Sequence, residues 1–281
     1  MDARSALPTV TELNARISGL VRRAQQLPPP GARPLTVATR VAGWVTAQAT
    51  DLIATLPGVH VEYEAVHLGA VPSQRLTLNA VLENIAVTLR DAGVLRSWRD
   101  ELLDVMGEGR LLGRIERAAV RPLGMLTQAV HLNAWSPDGR LWIARRALDK
   151  STGPGMWDTL AGGLAGAGED LETALLRESH EEAGLLAVDL AAHQPLRTVL
   201  RMHRRLPEGY QVENLLLCDC VLDAAATPTN LDGEVTEIRC VPIAELWEML
   251  CQGRFTLEAD LAILDSLRLR AAGVCAPPPV E

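Results

Sequence analysis

The stretch that decides the fold runs from residue 162 to residue 185 and reads GGLAGAGEDLETALLRESHEEAGL. Glycines open it, an acidic segment with helical character follows, and Gly184 is placed to end that helix. Glu181 and Glu182 follow Glu178 by three and four residues, which puts three carboxylates on one helix face. Because like charges this close repel each other, the spacing favours a site for a cation, and a divalent metal is the candidate.

The apolar stripe of the predicted helix leads into these carboxylates. At about 100° per residue, Leu171, Ala174 and Leu175 share one arc of the helix surface. Glu178 and Glu182 fall on the same arc, whereas a surface helix ordinarily carries its glutamates opposite the apolar stripe. Buried carboxylates need cations or raised pKa values. The spacing alone leaves two interpretations open, a metal site and a solvated acidic patch near the end of a helix.

The glycine-rich loop before the helix favours the metal site, because glycines let the backbone pass close to a ligand. The stretch matches the pattern G-x5-E-x7-R-E-U-x-E-E-x-G-U, in which U is a bulky apolar residue. The pattern is filled by Gly163, Glu169, Arg177, Glu178, Glu181, Glu182, Gly184 and Leu185. This pattern is the Nudix box, and the chain therefore resembles the Nudix hydrolase family.

The resemblance implies a fold and a metal-dependent reaction. The fold would be an α/β/α sandwich with a mixed sheet, and the reaction would be hydrolysis of a diphosphate linked to another group, with Mg²⁺ or Mn²⁺. Such hard cations prefer carboxylate and carbonyl oxygens. Glu178 and Glu182 would be metal ligands, Glu181 a third ligand or a proton acceptor, and the carbonyl oxygen of Gly162 a further ligand.

The resemblance also assigns roles to residues around these ligands. Arg177 and Glu169 would pair and hold the helix and the loop in register. Glu234, in the Asp-Gly-Glu turn downstream, is a candidate supplementary ligand or catalytic base, and the alternative is a plain turn residue. Ser179 departs from the pattern, since it occupies an apolar position that packs on the core. A serine there can bond to the backbone of its own helix.

Composition places the chain among soluble globular proteins. It has 281 residues, of which 48% are hydrophobic and 22% charged, enough for one large domain or two modest ones. The net charge of −8 argues against a nucleic-acid partner. We find no apolar run long enough for a membrane span and no secretory signal. The five cysteines (Cys218, Cys220, Cys240, Cys251 and Cys275) are expected to be reduced in a cytoplasmic protein.

The pattern along the chain predicts two parts. Residues 1–120 are expected to form a small α+β domain, opening with an amphipathic helix over residues 9–26. Further helices are predicted at Thr46–Leu56 and Gln74–Asp91, and extended runs at Leu35–Val45 and Val59–Val66. No catalytic constellation is found in this part.

Residues 121–281 are expected to form the Nudix domain. The predicted strands are Ala129–Trp135, Leu141–Ala147, Leu196–Arg205, Val212–Leu222 and Val235–Val241, and a short run at Met156–Leu160 precedes the box. Helices are predicted at Pro242–Cys251 and Leu257–Ala271, and a frayed tail at Pro277–Pro279.

The segment before the box narrows the substrate class. Arg145, Arg146, Lys150 and Asp158 precede the box in an arrangement similar to that of isopentenyl diphosphate isomerase, a Nudix branch that needs a cysteine in this region. No cysteine lies before Cys218, which disfavours that isomerase. We expect these four residues to contact the diphosphate substrate instead.

A second branch of the family carries an additional N-terminal domain. Its segments W-R-D-E-L-x-x-V, I-E-R-A-A and A-V-H-L-N match Trp98–Val105, Ile115–Ala119 and Ala129–Asn133. Members are similar to the Nudix half of some fungal thiamin pyrophosphokinases and to certain plant plastid Nudix proteins. That resemblance implies oxidised or oxy-thiamin diphosphate as the substrate, converted to a monophosphate and phosphate.

Several alternatives stay open at this point. Arg201 and His203 alternate along a basic strand and are candidate diphosphate contacts, or else they form a solvated strand face. Trp135, Trp142 and Trp157 are expected in the core, with a stacking role for one of them as the alternative. The chain could hydrolyse another diphosphate, such as a nucleotide sugar, or bind a metabolite without turnover. The oligomeric state is open, with a homodimer as one alternative.

Overall fold

The computed structural model describes residues 8–150 and 152–273. The predicted frayed tail at Pro277–Pro279 and the thiol of Cys275 lie outside these residues.

The described residues of the first part of the chain form three α-helices and six strands. The helices are α1 (Val10–Ala24), α2 (Ala47–Ile53) and α3 (Leu78–Asp91). The strands are β1 (Arg33–Val37), β2 (Arg40–Val45), β3 (Val59–Val61), β4 (Val66–Leu68), β5 (Leu102–Gly107) and β6 (Arg110–Glu116). Each of the three helices begins at a threonine N-cap whose hydroxyl accepts a backbone N–H.

The extended runs predicted in the first part are hairpins. Residues 35–45 contain the hairpin of β1 and β2, because Ala38 and Thr39 adopt left-handed φ values of 48° and 69°. Residues outside the Gly, Asn and Asp group adopt such angles rarely, so the sequence carries no turn signal there. Strands β3 and β4 form a second hairpin, and the four strands make a sheet in the order β2-β1-β4-β3. Strands β5 and β6 pair separately.

The rest of the chain builds a mixed seven-stranded sheet, as expected. Its elements are β7 (Leu126–Trp135), β8 (Leu141–Arg146), β9 (Trp157–Thr159), β10 (Ala161–Leu164), α4 (Leu171–Ala183), β11 (Arg197–Leu206), β12 (Gly209–Val221), β13 (Val235–Val241), α5 (Ile243–Cys251) and α6 (Leu257–Ala271). The main order is β11-β12-β7-β8-β13, in which β7 and β12 are parallel and the other pairs antiparallel.

The sheet divides between β7 and β8. These strands pair with each other only through Ala134 and Trp135 on β7. Farther along, β10 takes the place beside β7, where Ala161 to Leu164 pair with Leu132 to Ala129. Strand β9 pairs with β8 instead. Because of this division, Gly162 and Gly163 at the start of the box pair with residues of β7, the central strand.

Helices cover both faces of this sheet. The apolar side chains of α4 form one core with Val130, Leu132 and Ala134 of β7. On the other face α5 and α6 pack on the sheet, and the buried Asn133 side chain donates to the carbonyl oxygen of Ala262, 3.2 Å away. In the described ranges no helix combines the length and the apolar character needed to cross a bilayer.

Helix α1 belongs to the core of the large sheet. Its residues Leu13, Leu20 and Ala24 are buried in the same cluster as Leu264 of α6. A separate core formed by residues 35–125 contains α2, α3 and strands β1 to β6. The residues before 120 therefore do not share one core, and the boundary between domains 1–120 and 121–281 stays a prediction.

Candidate active site

The acidic helix α4 has clear local signals at both ends. Asp170 is its N-cap and accepts the backbone N–H of Thr173 at 3.0 Å. Gly184 ends it with φ of 65°, a conformation that other residues adopt at a cost. Along the helix, Ala174 and Leu175 are buried, and so is Glu182, 6% exposed. The apolar stripe does run into a carboxylate, as its angular position predicts.

The predicted pair of Arg177 and Glu169 is present and ties the helix to the loop before it. Arg177 Nε and Nη2 lie 2.8 and 2.9 Å from the two carboxylate oxygens of Glu169. Nη2 also donates to the carbonyl oxygen of Leu164, and Glu169 accepts the backbone N–H of Gly166 at 2.8 Å. The bonds from Arg177 lower the pKa of Glu169. This two-point pair fixes the orientation of the guanidinium.

Glu178 lies between this arginine and the backbone of Gly163. A Cβ atom at residue 163 would overlap the Glu178 carboxylate, so a larger residue there would displace that carboxylate from its present position. Arg177 Nη1 is 2.8 Å from Glu178 Oε1 and 3.1 Å from Glu181 Oε2. Burial nevertheless raises the pKa of Glu178. One guanidinium thus holds three carboxylates of the box.

Among the described residues, Glu182 has one cationic partner, and that partner is distant. Its Oε2 accepts the backbone N–H of Gly162 at 2.9 Å, and Lys150 Nζ is 3.7 Å from its Oε1. Lys150 forms its close ion pair with Glu234. Burial raises the pKa of Glu182 to about 7 and lowers the pKa of Lys150. Since both partners move toward their neutral forms, their attraction does not offset the loss of hydration.

Three carboxylates converge where a metal ion would fit. Oxygen atoms of Glu182, Asp232 and Glu234 all lie within 4.8 Å of one another. Such an oxygen set is what Mg²⁺ and Mn²⁺ prefer, and a divalent cation would supply the charge that Lys150 does not. The structure therefore places the predicted ligand Glu234 beside Glu182. It also places Asp232 there, which the sequence analysis did not propose as a ligand. The position of Asp232 in the same Asp-Gly-Glu turn as Glu234 could have indicated it.

The other predicted ligands lie beside this cluster. Glu178 and Glu181 bond to Arg177, and their ligand roles stay predictions. Gly162 donates its backbone N–H to Glu182 Oε2, and its carbonyl oxygen also stays a predicted ligand.

A cavity of about 400 Å³ lies beside this cluster, and Asp232 and Glu234 line it whereas Glu182 does not. The predicted residues that line it are Arg146, Lys150, Asp158, Gly162, Arg177, Glu178, Glu181 and Glu234. Arg146 Nη1 is 3.0 Å from Asp158 Oδ2, so the two predicted substrate contacts also pair with each other. The cavity thus offers cationic side chains close to a cluster of carboxylates.

Three of the predicted diphosphate contacts are not brought to this cavity. Arg145 donates to the carbonyl oxygen of Gly155 at 3.1 Å and faces away. Arg201 and His203 lie on β11, the edge strand, which β12 separates from the central β7. Strand alternation was predicted correctly, but the position of that strand in the sheet is a tertiary property that the basic pattern does not specify.

The first part of the chain forms one wall of the cavity, which the sequence did not reveal. Three arginines of that part line it, namely Arg96, Arg99 and Arg117, and Arg121 follows directly after them in the chain. The loop of the box docks directly on β5, since Ala167 N donates to the Leu102 carbonyl at 2.8 Å and Gly168 N to Asp104 Oδ2 at 3.0 Å. The segments Trp98–Val105 and Ile115–Ala119 lie side by side, because Leu102 pairs with Glu116 across the hairpin.

The family model described as NUDIX domain matches residues 125–259. This chain belongs to the Nudix hydrolase family. Two relatives with longer alignments are chloroplastic proteins of Arabidopsis thaliana. Nudix hydrolase 24 is 30% identical over 209 residues, which are 68% of this chain and 57% of that protein. Nudix hydrolase 20 is 26% identical over 254 residues, 83% of this chain and 67% of that protein.

The similarity to these plant Nudix proteins extends beyond the matched domain, because both alignments are longer than it is. The chain spans 57% and 67% of their lengths. A third relative is the isopentenyl-diphosphate Delta-isomerase of Streptomyces griseus subsp. griseus. It is 36% identical over 169 residues, 59% of this chain and 83% of that protein.

The departure of Ser179 from the Nudix pattern has a structural consequence. Its side chain is completely buried, as the packing of that helix face predicts. The bond that a serine at this position can make to its own helix backbone is absent, because the hydroxyl has no hydrogen-bond partner among the described residues. A buried polar atom without a partner costs free energy of folding.

Proposed function

We propose that this Nudix protein hydrolyses a diphosphate linked to a second group, with Mg²⁺ or Mn²⁺ bound at Glu182, Asp232 and Glu234. The preferred substrates are oxidised or oxy-thiamin diphosphates, which give a monophosphate and phosphate. The observation that carries the proposal is the buried Glu182, whose partner Lys150 is too distant and too desolvated to neutralise it. A site that gathers more negative charge than its own cations balance is suited to a divalent metal.

The residues around the cavity account for the chemistry. A bound divalent cation neutralises diphosphate charge and lowers the pKa of a water molecule. Arg146 supplies the cation that binds phosphate oxygens, Asp158 holds Arg146 in place, and Lys150 adds N–H donors beside it. In the reaction a water oxygen bonds to phosphorus, the bridging P–O bond breaks, and a carboxylate takes the water proton. Glu181 is the candidate proton acceptor, because it lines the cavity, is about half exposed and, unlike Glu234, is not assigned to the metal.

The thiamin-type substrate is supported by the first part of the chain. The segments that resemble the thiamin-associated branch, Trp98–Val105 and Ile115–Ala119, contribute Arg99, Glu101 and Arg117 to the cavity wall. They therefore lie where a substrate group beyond the diphosphate would contact them. We also retain a cytoplasmic location as part of this proposal.

The isomerase relative suggests a second activity, which the cavity does not favour. In the described part of the chain the cysteines are Cys218, Cys220, Cys240 and Cys251, and none of them lines the cavity. Burial raises the pKa of Cys218 and Cys220, which keeps both thiols protonated and unreactive. A metabolite sensor without turnover is disfavoured because all the carboxylates of the box are present.

The test is phosphate release, with Mg²⁺ or Mn²⁺, from a panel of diphosphates. The panel holds oxythiamin diphosphate, oxidised thiamin diphosphates, thiamin diphosphate, ADP-ribose, a nucleotide sugar and isopentenyl diphosphate. We expect the highest kcat/KM for the thiamin analogues and no double-bond isomerisation of isopentenyl diphosphate. Equal rates across the panel would contradict the substrate class, and no release from any member would contradict hydrolysis itself.

A further inference from the structure

The segment Trp98–Glu101 presents alternate side chains to the cavity. Arg99 and Glu101 line the cavity, whereas Trp98 and Asp100 do not. The indole N–H of Trp98 donates to Asp100 Oδ1 at 2.6 Å, which joins these two side chains away from the cavity. Asp100 adopts a left-handed φ of 56°, a conformation that aspartate accepts more readily than most residues. The sequence Trp-Arg-Asp-Glu therefore directs its arginine toward the space for substrate.

The backbone on both sides of the Arg99 side chain is held by hydrogen bonds. The Arg99 N–H donates to Glu116 Oε1 at 2.9 Å, and the Glu101 carbonyl oxygen accepts the Arg117 N–H at 2.8 Å. The side chains of Arg117 and Glu101 also pair, at 2.7 Å. These contacts give Arg99 a defined place in the arginine wall, the group that it forms with Arg96 and Arg117.

The positive charge of Arg99 is not balanced by a carboxylate. Arg96 lies 3.7 Å from Glu208, and Arg121 pairs with the same carboxylate. Among the described residues, no acidic side chain pairs with Arg99, which is exposed. The wall therefore carries more positive charge than its own carboxylates offset.

Two further carboxylates that line the cavity do not supply the missing negative charge. Burial raises the pKa of Glu213, which shifts this group toward its neutral form. Glu258 is already paired with Arg204, at 2.7 Å. The arginine wall thus presents a net positive charge to any group that enters this part of the cavity.

Apolar side chains border the arginine wall, away from the metal cluster. They are Val94, Leu95, Val120, Met125 and Val212. Val212 pairs with Leu126 on β7, whereas Gly162 of the box pairs with His131, five residues and about 16 Å farther along that strand. A substrate whose diphosphate lies at the metal cluster therefore extends its second group toward apolar and arginine side chains.

We propose that Arg99 selects substrates by the charge of the ring joined to the diphosphate, accepting an uncharged ring and disfavouring a cationic one. The proposal rests on the proposed function, because it requires the diphosphate at the metal cluster. Thiamin diphosphate has a cationic thiazolium ring, and oxidation of that ring to a thiazolone removes the charge. A guanidinium group stacks on an uncharged planar ring but repels a cation. The unbalanced arginine thus distinguishes the oxidised from the intact molecule by one unit of charge.

The test reverses this charge in the variant Arg99→Glu, with Arg99→Met as the intermediate step. The matched control is Arg110→Glu, at an exposed arginine that begins β6 outside the cavity lining. We measure kcat/KM on the full chain with Mg²⁺ for thiazolone diphosphate and thiamin diphosphate. Because both ligands carry the same diphosphate, the ratio of their kcat/KM values cancels any effect of the variant on that group. Calorimetry with the two monophosphates, which have no P–O–P bond to hydrolyse, gives the same ratio for binding alone.

We expect the wild-type protein to prefer the thiazolone by about 10-fold, Arg99→Met to lower this preference by about 3-fold, and Arg99→Glu to remove it. High salt should lower the preference of the wild-type protein because it screens the exposed charge. The ratio of oxythiamin to thiamin diphosphate should not change in the variants, since both have the cationic ring.

An unchanged ratio of thiazolone to thiamin diphosphate in Arg99→Glu, or the same change in Arg110→Glu, would overturn the proposal and leave hydrolysis in place. If no diphosphate is hydrolysed but the ratio of the monophosphate affinities still depends on Arg99, the proposed function fails while selection by charge holds.

Discussion

Two groups of charged residues meet at the same cavity, and they differ in origin and environment. The carboxylates Glu178 and Glu182 come from one turn of α4 and have side chains 12% and 8% exposed. The arginines of the opposite wall come from the first part of the chain, where the side chains of Arg96 and Arg117 are 51% and 36% exposed. One group is local in sequence and buried, and the other is assembled by tertiary contacts and open to water.

This difference in burial indicates which group of residues should have the larger effect on the rate of hydrolysis. Electrostatic interactions strengthen as water is removed, so a change at the buried carboxylates has large effects. Exposed charges are screened by water and salt, so the arginine wall should tune binding by smaller amounts. The carboxylate end is therefore expected to set the rate, and the arginine wall the affinity for substrate.

The largest effect is expected for Glu182→Gln, which removes the buried charge and nearly keeps the shape. We expect kcat/KM with Mg²⁺ to fall by about 10³-fold or more, roughly 4 kcal/mol of transition-state stabilisation. Steady-state phosphate release measures it. Glu172→Gln, on the exposed side of the same helix, is the control and should keep wild-type rates. Wild-type turnover by Glu182→Gln would refute our assignment of the metal ligand.

The second effect concerns stability without metal. The folded protein raises the pKa of Glu182 from 4.5 to about 7, so the folded state binds a proton more tightly than the unfolded chain. The stabilising contribution of protonated Glu182 is complete below about pH 4.5 and is lost as the pH rises through 7. The free energy of unfolding should therefore fall by about 3 kcal/mol across this range.

Denaturant unfolding in EDTA at several pH values measures this dependence. Glu182→Gln should abolish most of it, and Mg²⁺ should restore stability at pH values above 7, because the metal binds the ionised carboxylate. A wild-type profile that stays flat between pH 4.5 and 7 would be inconsistent with the buried, poorly paired carboxylate.

A smaller effect is expected at the arginine wall. Arg117 lines the cavity, and its charge is close enough to Glu178 to favour the ionised carboxylate. Arg117→Met should raise KM by about 10-fold with little change in kcat, and the KM of the variant should depend less on salt. Arg110→Met, at the start of β6 and outside the cavity lining, is the control. A fall in kcat with constant KM would show that Arg117 acts in the chemical step and not in substrate binding. The carboxylates and the arginines would then not differ in role.

The carboxylate end could be predicted because its information is local. Helix periodicity places Glu178 and Glu182 on the buried arc, and the sequence distance between Glu169 and Arg177 spans a loop and two helical turns. The strand Val235–Val241 and the helix Leu257–Ala271 were also predicted with their observed bounds, because the Asp-Gly-Glu turn precedes the strand and the Thr256 cap precedes the helix. Local spacing determines these features before any tertiary contact forms.

The arginine wall could not be predicted in this way. Arg117 reaches the cavity because the first part of the chain docks on the box loop through β5. This tertiary contact leaves no periodic signal in the sequence near Arg117. The same limit explains Arg201 and His203, which have the right charge for a diphosphate but lie on the edge strand.

The smallest expected effect lies on the hidden side of the acidic helix, at Ser179. Its hydroxyl is buried without a partner in the described structure, so Ser179→Ala removes an unmet polar group and improves helix propensity. We expect the free energy of unfolding to rise by about 1 kcal/mol, measured in urea with Mg²⁺ present. Ser266→Ala is the matched control, because that buried hydroxyl donates to Asp219 at 2.8 Å and its loss should destabilise. Destabilisation by Ser179→Ala would show that the hydroxyl does have a hydrogen-bond partner. The buried hydroxyl would then not lower the stability of helix α4.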